Sequence, residues 1–409
     1  MCTAIPRSGW LLAVALLALA AGSQAQPGVQ QLNSLALDLF DEIYSQDESK
    51  NIFFSPLSIA TAYSLLHIGA EGDTKEQLES VFGFGAEGVS GAFLNPYSGL
   101  ITEDESDDVD VLQSSILYIE EGFAYKPAFK IRLTKNPTSR AAEKVPFATD
   151  PEAARKEINK NVSTLTMGYI EDMLPEGSVD ELTRMVVVNA VFFKGGWMEP
   201  FKKEDTVKLP FAAFDKKNAT VDMMIQKETW LRLSLTGSIL DAQVLELPYG
   251  NGAASMVIIL PSKPGRNAFL EVAAQLREVD FTDLVNSLQS TMVNVYLPKF
   301  EIEASTDLGA VLPPLGVTDL FQPDSSDLSG MSDAVGLYVS SSLHKARVKV
   351  DEKGTTAAAS TAAVARATSL VLPTDFRADH PFMYFIIDAQ SKAIMFMGSV
   401  QGLPMGPVS

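Results

Sequence analysis

The sequence contains few of the residues from which metal sites and nucleophilic enzymes are built. Its 409 residues include a single cysteine, Cys2, and three histidines, His67, His344 and His380. Three dispersed histidines without a cysteine are a poor basis for a zinc site. The sequence also has no Walker loop, no H-E-x-x-H motif and no G-x-S-x-G turn that would present a serine nucleophile. We therefore expect no metal, no cofactor and no enzymatic activity.

Positive charge is also scarce. Lys and Arg together number 32 against 51 Asp and Glu, which gives a formal net charge of −19. A surface of this sign repels nucleic acid and anionic membranes, so neither is an expected partner. The range 102–110 is especially acidic, as a solvated surface loop would be. Sulfated polysaccharides bind through Lys and Arg, so heparin binding is not expected.

The N-terminal segment has the pattern of a secretory signal peptide. Arg7 precedes an apolar run at 10–21, and small residues follow at 23 and 25. We predict cleavage after Ala25, so that residues 1–25 are removed and 26–409 form the mature protein. The alternative is a membrane anchor, but the apolar run is shorter than the roughly 20 residues that a spanning helix needs. The protein is therefore expected to be secreted and extracellular.

Removal of residues 1–25 would take away Cys2 and Arg7, which changes the net charge to 31 − 51 = −20. A secreted chain without cysteine has no disulfides, so its stability has to come from a hydrophobic core. The composition, 46% apolar and 20% charged, allows such a core. In a secreted protein the sequons at Asn161 and Asn218 are predicted glycosylation sites.

The hydrophobic pattern changes along the chain from helical to strand-like. Helical spacing of apolar residues predicts helices at 29–44, 57–68, from 73 onward and at 150–169, with Ser55 and Asp73 capping the second and third. Apolar runs predict strands at 185–193, 244–248, 255–260, 292–298 and 382–387, and alternation of apolar with basic residues predicts a half-buried strand at 344–350. Without regular βαβ alternation, this order indicates an α+β fold. A G-x-G-x-x-G match at 83–88 follows a helical pattern, so we interpret it as accidental.

The range 355–368 is distinctive because it holds no large side chain. It reads TTAAASTAAVARAT and lies between the strands predicted at 344–350 and 382–387. A long loop in a compact protein is usually either functional or disordered. Composition alone does not choose between a functional loop and a simple Ala/Thr linker.

Six segments, in this order and spacing, resemble the serpin family over essentially the whole mature chain. They are 51–59 (NIFFSPLSI), 189–197 (NAVFFKGGW, with Phe201 beyond it), 297–300 (LPKF), 344–346 (HKA), 350–355 (VDEKGT) and 376–382 (FRADHPF). The resemblance implies an α+β serpin fold, with three β-sheets, eight or nine helices and an exposed reactive-centre loop at about 352–378, in a single domain over 26–409. It also implies suicide inhibition, in which a serine protease cleaves the loop and is trapped as an acyl-enzyme while the loop inserts into the central sheet.

The loop sequence is compatible with insertion as a strand. Alternate residues of a strand face opposite sides of a sheet, and the face that runs from Thr355 to Ala367 holds only small, uncharged side chains. Such residues can enter a packed interior, where overpacking costs about 1–3 kcal/mol per site. The single charge, Arg366, is on the opposite face, where it need not be buried.

The resemblance assigns the hinge, where insertion begins, to one run of residues: Glu352, Gly354, Thr355, Ala357, Ala358, Ala359 and Ser360. Inhibitory members of the family have Thr or Ser after the hinge glycine and then small residues, as this sequence does. Thr356 departs from the family pattern, in which Glu is common at that position. A non-inhibitory serpin, acting as a carrier or a protease substrate, is therefore the alternative.

The resemblance also places two groups of residues where the central sheet has to open. The breach, the point of first insertion, corresponds to Trp197, Lys299 and Glu352, with the last two as an ion pair. The shutter, a polar cluster beneath the centre of the sheet, corresponds to Ser55, Ser58, Asn189 and His344. The alternative interpretation is that these are ordinary core residues with satisfied hydrogen bonds.

The resemblance gives two candidates for the scissile bond. By its usual distance from the hinge glutamate it is Thr368–Ser369, and a small residue there would suit an elastase-like protease. Arg366–Ala367 is the alternative and would suit a trypsin-like protease, whose pocket binds Arg through a carboxylate. Leu370 would suit a chymotrypsin-like protease.

These observations together predict a monomeric secreted protein that forms a covalent complex with an extracellular serine protease and needs no cofactor. A secreted hydrolase with an unrecognised site is the alternative from a different functional class.

Overall fold

The computed structural model describes residues 27–85, 109–134, 142–214, 219–235, 240–250, 252–354 and 372–402. The helices in these ranges are α1 (Pro27–Gln46), α2 (Pro56–His67), α3 (Gly72–Phe82), α4 (Pro127–Thr134), α5 (Pro151–Leu165), α6 (Arg266–Arg277), α7 (Phe281–Asn286) and α8 (Leu308–Leu315). The first seven strands are β1 (Ile52–Phe54), β2 (Val109–Glu120), β3 (Ala142–Val145), β4 (Met185–Gly195), β5 (Val207–Phe211), β6 (Ala219–Ser234) and β7 (Ala242–Pro248). The others are β8 (Ala254–Pro261), β9 (Gln289–Pro298), β10 (Phe300–Asp307), β11 (Ser341–Val350), β12 (Thr374–Arg377), β13 (Phe382–Asp388) and β14 (Ile394–Val400).

Helix α2 begins where the sequence predicts it. Ser55 is the N-cap, its hydroxyl accepts a hydrogen bond from the Ser58 N–H at 3.0 Å, and Pro56 occupies the first turn. Every residue from Pro56 to Leu66 is buried, because the helix packs against β2, β4 and β14. This central helix therefore carries polar groups, such as Ser55 and Ser58, directly to the sheet.

Two predicted helix boundaries are wrong. Helix α3 has Glu71 rather than Asp73 at its N-cap, and Lys75 N donates to Glu71 O at 3.3 Å. The start is fixed by a tertiary contact, since Asp327 N donates to Thr74 Oγ1 at 2.9 Å. Helix α5 is capped by Asp150 but ends at Leu165 instead of 169, because Met167 and Gly168 both have positive φ, 50° and 79°.

The α3 helix also explains the glycine motif at 83–88. Gly83 is the left-handed C-cap of this helix, with φ 69°, and donates to Glu79 O at 2.9 Å. A dinucleotide site needs a strand before the first glycine and a helix after the last, so the match is accidental.

The five-stranded sheet has the order β10-β11-β4-β2-β3. Strand β11 runs antiparallel to β10 but parallel to β4, with Ser341 opposite Val186 and Val348 opposite Phe193. The predicted alternation in β11 is confirmed, since every second side chain from Ser342 to Val350 is buried. Helix α2 packs against β4 of this central pair, and α8 and β1 pack against β11.

The remaining nine strands form one hydrogen-bonded sheet, of order β1-β14-β13-β8-β7-β6-β9-β12 with β5 on β6. Strand β13 is almost fully buried, as its continuous apolar sequence predicts, and so is its neighbour β14. The serpin resemblance implies three sheets, whereas the described strands form two hydrogen-bonded sheets. The nine-stranded sheet therefore corresponds to two of the three, which are continuous here. The long strands β6 and β9 run through both parts of this sheet, and the register of their pairing shifts between Gln226 and Thr229.

Among the residues that the structure describes, no helix is both long and apolar enough to cross a membrane.

Candidate functional site

The candidate site is the boundary between β4 and β11 together with the turn that follows β11. The predicted reactive loop continues directly from this turn, and the chain is described again from Leu372. Only residues up to Gly354 on the hinge side therefore have a described geometry. The predicted hinge residues Thr355, Ala357, Ala358, Ala359 and Ser360, and the bonds Thr368–Ser369 and Arg366–Ala367, lie outside the described residues.

The four predicted shutter residues meet at the centre of the β4–β11 boundary. His344 on β11 and Asn189 on β4 are opposite each other in the parallel register. His344 Nε2 lies 3.0 Å from the Ser55 backbone nitrogen, and Asn189 Nδ2 donates to Ser58 O at 3.0 Å. All four residues are fully buried. The cluster thus ties both central strands to the N-terminal end of α2.

Hydrogen bonding fixes the tautomer of His344. Its Nε2 accepts from the Ser55 N–H, so the proton of the neutral ring is on Nδ1 and is donated to Asn189 Oδ1 at 2.5 Å. Burial lowers the pKa of His344 from 6.5 to about 3, while its hydrogen bond with Asn189 acts in the opposite direction. The imidazole is therefore neutral at physiological pH.

The breach is organised around the carboxylate of Glu352. Lys299 Nζ lies 3.0 Å from Glu352 Oε2, and Thr206 Oγ1 donates to Glu352 Oε1 at 2.8 Å. Both oxygens of this buried carboxylate are thus satisfied. Burial by itself raises the pKa of Glu352, but the hydrogen bonds from Lys299, its own backbone and Thr206 outweigh burial and leave the pKa below its usual value.

Trp197 holds the turn after β11 through two hydrogen bonds and is itself held by a stacked ring. Its indole Nε1 donates to Asp351 O at 3.0 Å, and its backbone N donates to Lys353 O at 3.1 Å. Its ring stacks on Tyr249 at 4.5 Å with an interplanar angle of 9°. Phe201 N adds a hydrogen bond to Glu352 O at 2.8 Å. The end of β4 and the hinge turn are thus bonded to each other along the backbone.

Of the two hinge residues that the structure describes, Glu352 and Gly354, the second has a conformation that requires glycine. Its φ is 83°, and it forms an isolated bridge with Gly196. A Cβ at this position would lie 2.3 Å from Gly195 O and 2.5 Å from Trp197 N. Both neighbours are backbone atoms, so a side chain here would displace the hinge from the end of β4.

A second connection spans β4 and β11 on the opposite face of the sheet, where the chain after α5 crosses. Arg347 Nη1 donates to Tyr169 O at 2.8 Å, and Lys345 Nζ donates to Glu171 O at 3.0 Å. The Tyr169 ring stacks on Phe192 of β4 at 3.9 Å. Separation of β4 from β11 therefore requires this segment to move as well.

Several contacts of the candidate site have no signal in the sequence. Thr206 donates to Glu352, Tyr249 stacks on Trp197, and Ser115 Oγ accepts from Asn189 Nδ2 at 2.7 Å. These residues lie 146, 52 and 74 positions from their partners, as numbering shows. A common hydroxyl or ring at such distances is indistinguishable from any other until the fold brings it to the site.

Of the two predicted glycosylation sites, only Asn161 lies among the described residues. It is in the interior of α5, and its Nδ2 donates to Glu143 Oε2 at 3.0 Å. A glycan on this nitrogen would have to replace that hydrogen bond. Glycosylation at Asn161 and Asn218 stays a prediction.

Comparison with known proteins identifies the family. A family model described as serpin (serine protease inhibitor) matches residues 30–402. The human leukocyte elastase inhibitor is 36% identical over 379 residues, which is 90% of this chain and 99% of that protein. The leukocyte elastase inhibitor of Xenopus laevis is 36% identical over 366 residues, 88% of this chain and 95% of that protein.

This chain belongs to the serpin family. Its fold agrees with that assignment, since the structure of uncleaved ovalbumin superimposes with a TM-score of 0.80 at 29% identity, covering 93% of this chain and all of ovalbumin. The serpin fold that the six sequence segments implied is thus confirmed. Within the described ranges of this serpin, no three His, Cys, Asp or Glu side chains are grouped so that they could hold a metal ion.

Proposed function

We propose that this serpin is a secreted suicide-substrate inhibitor of an extracellular serine protease. The similarity to proteins named leukocyte elastase inhibitors supports protease inhibition, and an elastase-like enzyme is the first candidate target. The signal-peptide pattern at 1–25 supports secretion. The protein acts as a monomer and without a cofactor in this proposal.

One observation carries the proposal, namely that β4 and β11 are parallel neighbours and the loop starts at the end of β11. A chain that reverses direction after β11 and enters between the two strands runs antiparallel to both. The parallel contact, from Ser341–Val186 to Val348–Phe193, is then replaced by two antiparallel ones. Antiparallel pairs are slightly more stable per residue than parallel pairs, so insertion at this boundary is favourable.

The chemistry follows from cleavage of the loop as an ordinary substrate. The protease serine attacks the carbonyl carbon of Thr368, its proton passes through the protease histidine to the departing Ser369 amine, and an acyl ester forms. The freed N-terminal part of the loop inserts and carries the acylated protease away from its starting position. Hydrolysis of the ester is then prevented because the displaced protease no longer has its catalytic groups aligned.

Electrophoresis of reaction mixtures tests this proposal. The mature protein is incubated with leukocyte elastase, trypsin and chymotrypsin, and a covalent complex that survives SDS is expected with elastase. The released C-terminal fragment is expected to begin at Ser369, whereas a start at Ala367 would assign the bond to Arg366 and the target to a trypsin-like enzyme. Simple cleavage by all three proteases would contradict inhibition and support the non-inhibitory alternative that Thr356 suggests. Secretion is checked separately, since the secreted chain is expected to start at Gln26.

A further inference from the structure

An exposed apolar patch lies on the outer face of the sheet formed by β6, β9 and β12. Trp230 on β6 is 45% exposed, and Met198, in the turn after β4, is 38% exposed. Both line a small cleft of about 70 Å³, which also contains Leu231 and Leu247. Met292, half-buried on β9, is directly opposite Trp230 in the antiparallel register and extends the patch. We call Met198, Trp230 and Met292 the Trp230 patch.

The Trp230 patch is next to the strand into which the reactive loop runs. β12 pairs with β9 from Thr374, opposite Val293, and Trp230 is opposite Met292 on the other side of β9. Neighbouring strands are about 4.8 Å apart, so the Trp230 backbone lies about 10 Å from the start of β12. Asn294 Nδ2 donates to Asp375 Oδ1 at 2.8 Å on the same face, which makes the surface continuous from Trp230 to β12.

The patch is also close to the hinge, the end of the loop that follows β11. Met198 is two residues after Gly196, which forms the isolated bridge with Gly354. Two residues span at most about 7.6 Å between Cα atoms. Trp197, between these residues, donates from its indole to Asp351 O of the hinge turn. The Trp230 patch therefore lies between both anchor points of the reactive loop.

We propose that the Trp230 patch is a docking surface for the body of the target serine protease, outside the contacts of the loop with the active-site cleft. This inference rests on the proposed function. A protease domain of about 230 residues has a radius of gyration of about 17 Å, so a molecule seated on the loop extends over a surface about 10 Å from the loop's end.

The side chains in the patch suit this role. Tryptophan is enriched among the residues that contribute most to protein interfaces, and methionine adapts its shape to a partner. An exposed Trp beside an exposed Met costs solubility without stabilising the fold, since neither side chain is in the core. The matching protease surface is apolar and lies next to the active-site cleft.

Two measurements on the Trp230→Ala variant test the proposal with the mature full-length protein. The first is the association rate constant with active leukocyte elastase, together with the stoichiometry of inhibition. The second is the noncovalent binding of elastase whose catalytic serine is replaced by alanine. We expect both association and binding to weaken by roughly 10-fold or more, as for an interface hot spot. The stoichiometry should be unchanged, because it depends on loop insertion rather than on docking. Leu270→Ala, at a residue 39% exposed on α6, is the matched control and should behave as the unmodified protein.

Several results would overturn the docking proposal. Equal association of Trp230→Ala and the unmodified protein would show that the patch is not contacted. Faster association would show that the loop itself covers Trp230, and loss of a dimer in size-exclusion chromatography would show that a second copy does. Failure of inactivated elastase, trypsin and chymotrypsin to bind the unmodified protein also overturns it. The two proposals can fail independently. If the patch binds the protease but the protein is not an inhibitor, inactivated elastase will bind in a Trp230-dependent way and active elastase will form no SDS-stable complex.

Discussion

His344 of β11 and Asn189 of β4 are hydrogen-bonded across the boundary at which a loop strand would enter, with 2.5 Å between Nδ1 and Oδ1. Both side chains are fully buried, and both are tied to the start of α2 through Ser55 and Ser58. A strand that inserts between β4 and β11 has to break this bond. In the proposed mechanism the pair would therefore contribute to the barrier against insertion.

The buried imidazole predicts that stability falls at mildly acidic pH. Burial lowers the pKa of His344 to about 3 from its ordinary value of 6.5. Between these values the unfolded chain binds a proton that the folded chain does not bind, so the contribution to stability is complete above pH 6.5 and is lost as the pH falls. The slope from this group is at most about 1.4 kcal/mol per pH unit.

Guanidinium unfolding at pH 7.5, 6 and 5 measures this effect. The His344→Gln variant cannot titrate at this position, so its free energy of unfolding should change less between pH 7.5 and 5 than that of the unmodified protein. Parallel pH profiles for the two proteins would contradict the assignment of this pH dependence to His344.

Removal of the Lys299 ammonium should weaken the breach. In Lys299→Ala the buried Glu352 carboxylate keeps its hydrogen bonds from Thr206 and its own backbone but loses its cation, at a cost of about 3 kcal/mol. The expected result is a lower free energy of unfolding and faster spontaneous conversion to the inserted form at 37 °C. The double variant with Glu352→Gln removes the uncompensated charge and should recover part of the loss. An unchanged stability in Lys299→Ala would contradict the importance of this ion pair.

Gly354 should tolerate alanine less well than another glycine of similar backbone conformation. Gly336 has φ 81° and no atom within 4 Å of a Cβ, whereas a Cβ on Gly354 would overlap Gly195 O. Gly336→Ala therefore measures the cost of positive φ alone, about 1–2 kcal/mol. Gly354→Ala should cost more in denaturant unfolding and should speed proteolysis at the hinge. Equal costs for the two variants would show that the close contact with β4 relaxes easily.

A pair of charge substitutions distinguishes the two faces of the loop. Alternation places Ala357 on the face that would be buried after insertion and Ala358 on the opposite face. Ala357→Arg should turn the protein into a cleaved substrate, because an unpaired guanidinium would have to enter the core. Ala358→Arg should still form the SDS-stable complex. The stoichiometry of inhibition measures the difference, and equal values for both variants would contradict strand insertion in this register.

Much of the fold can be predicted from local patterns in the sequence. The alternation in β11, the apolar run of β13 and the Ser55-Pro56 start of α2 all correspond to observed elements. The errors arise where a tertiary contact decides a boundary. The Asp327–Thr74 hydrogen bond moves the start of α3, and no property of the local sequence records it.

The candidate site is predicted less completely. Family resemblance points to Lys299, Glu352, Asn189 and His344, and the structure brings each pair within hydrogen-bond distance. Tyr249 beneath Trp197 is not predictable, because its position depends on the pairing of β7 with β8 and on the turn after β4. The parallel orientation of β4 and β11 is a property of topology, which residue patterns do not contain.

Thermal unfolding of the loop-cleaved protein tests most directly the claim that β4 and β11 separate to accept the loop. The intact protein and the product of limited elastase cleavage are compared at the same pH. In a domain this large, 1 kcal/mol corresponds to about 1 °C in Tm, so an inserted strand that contributes several kcal/mol should raise Tm by at least about 5 °C. Ala357→Arg, cleaved in the same way, should show no comparable rise. An equal Tm for the intact and cleaved unmodified protein would contradict insertion at the β4–β11 boundary.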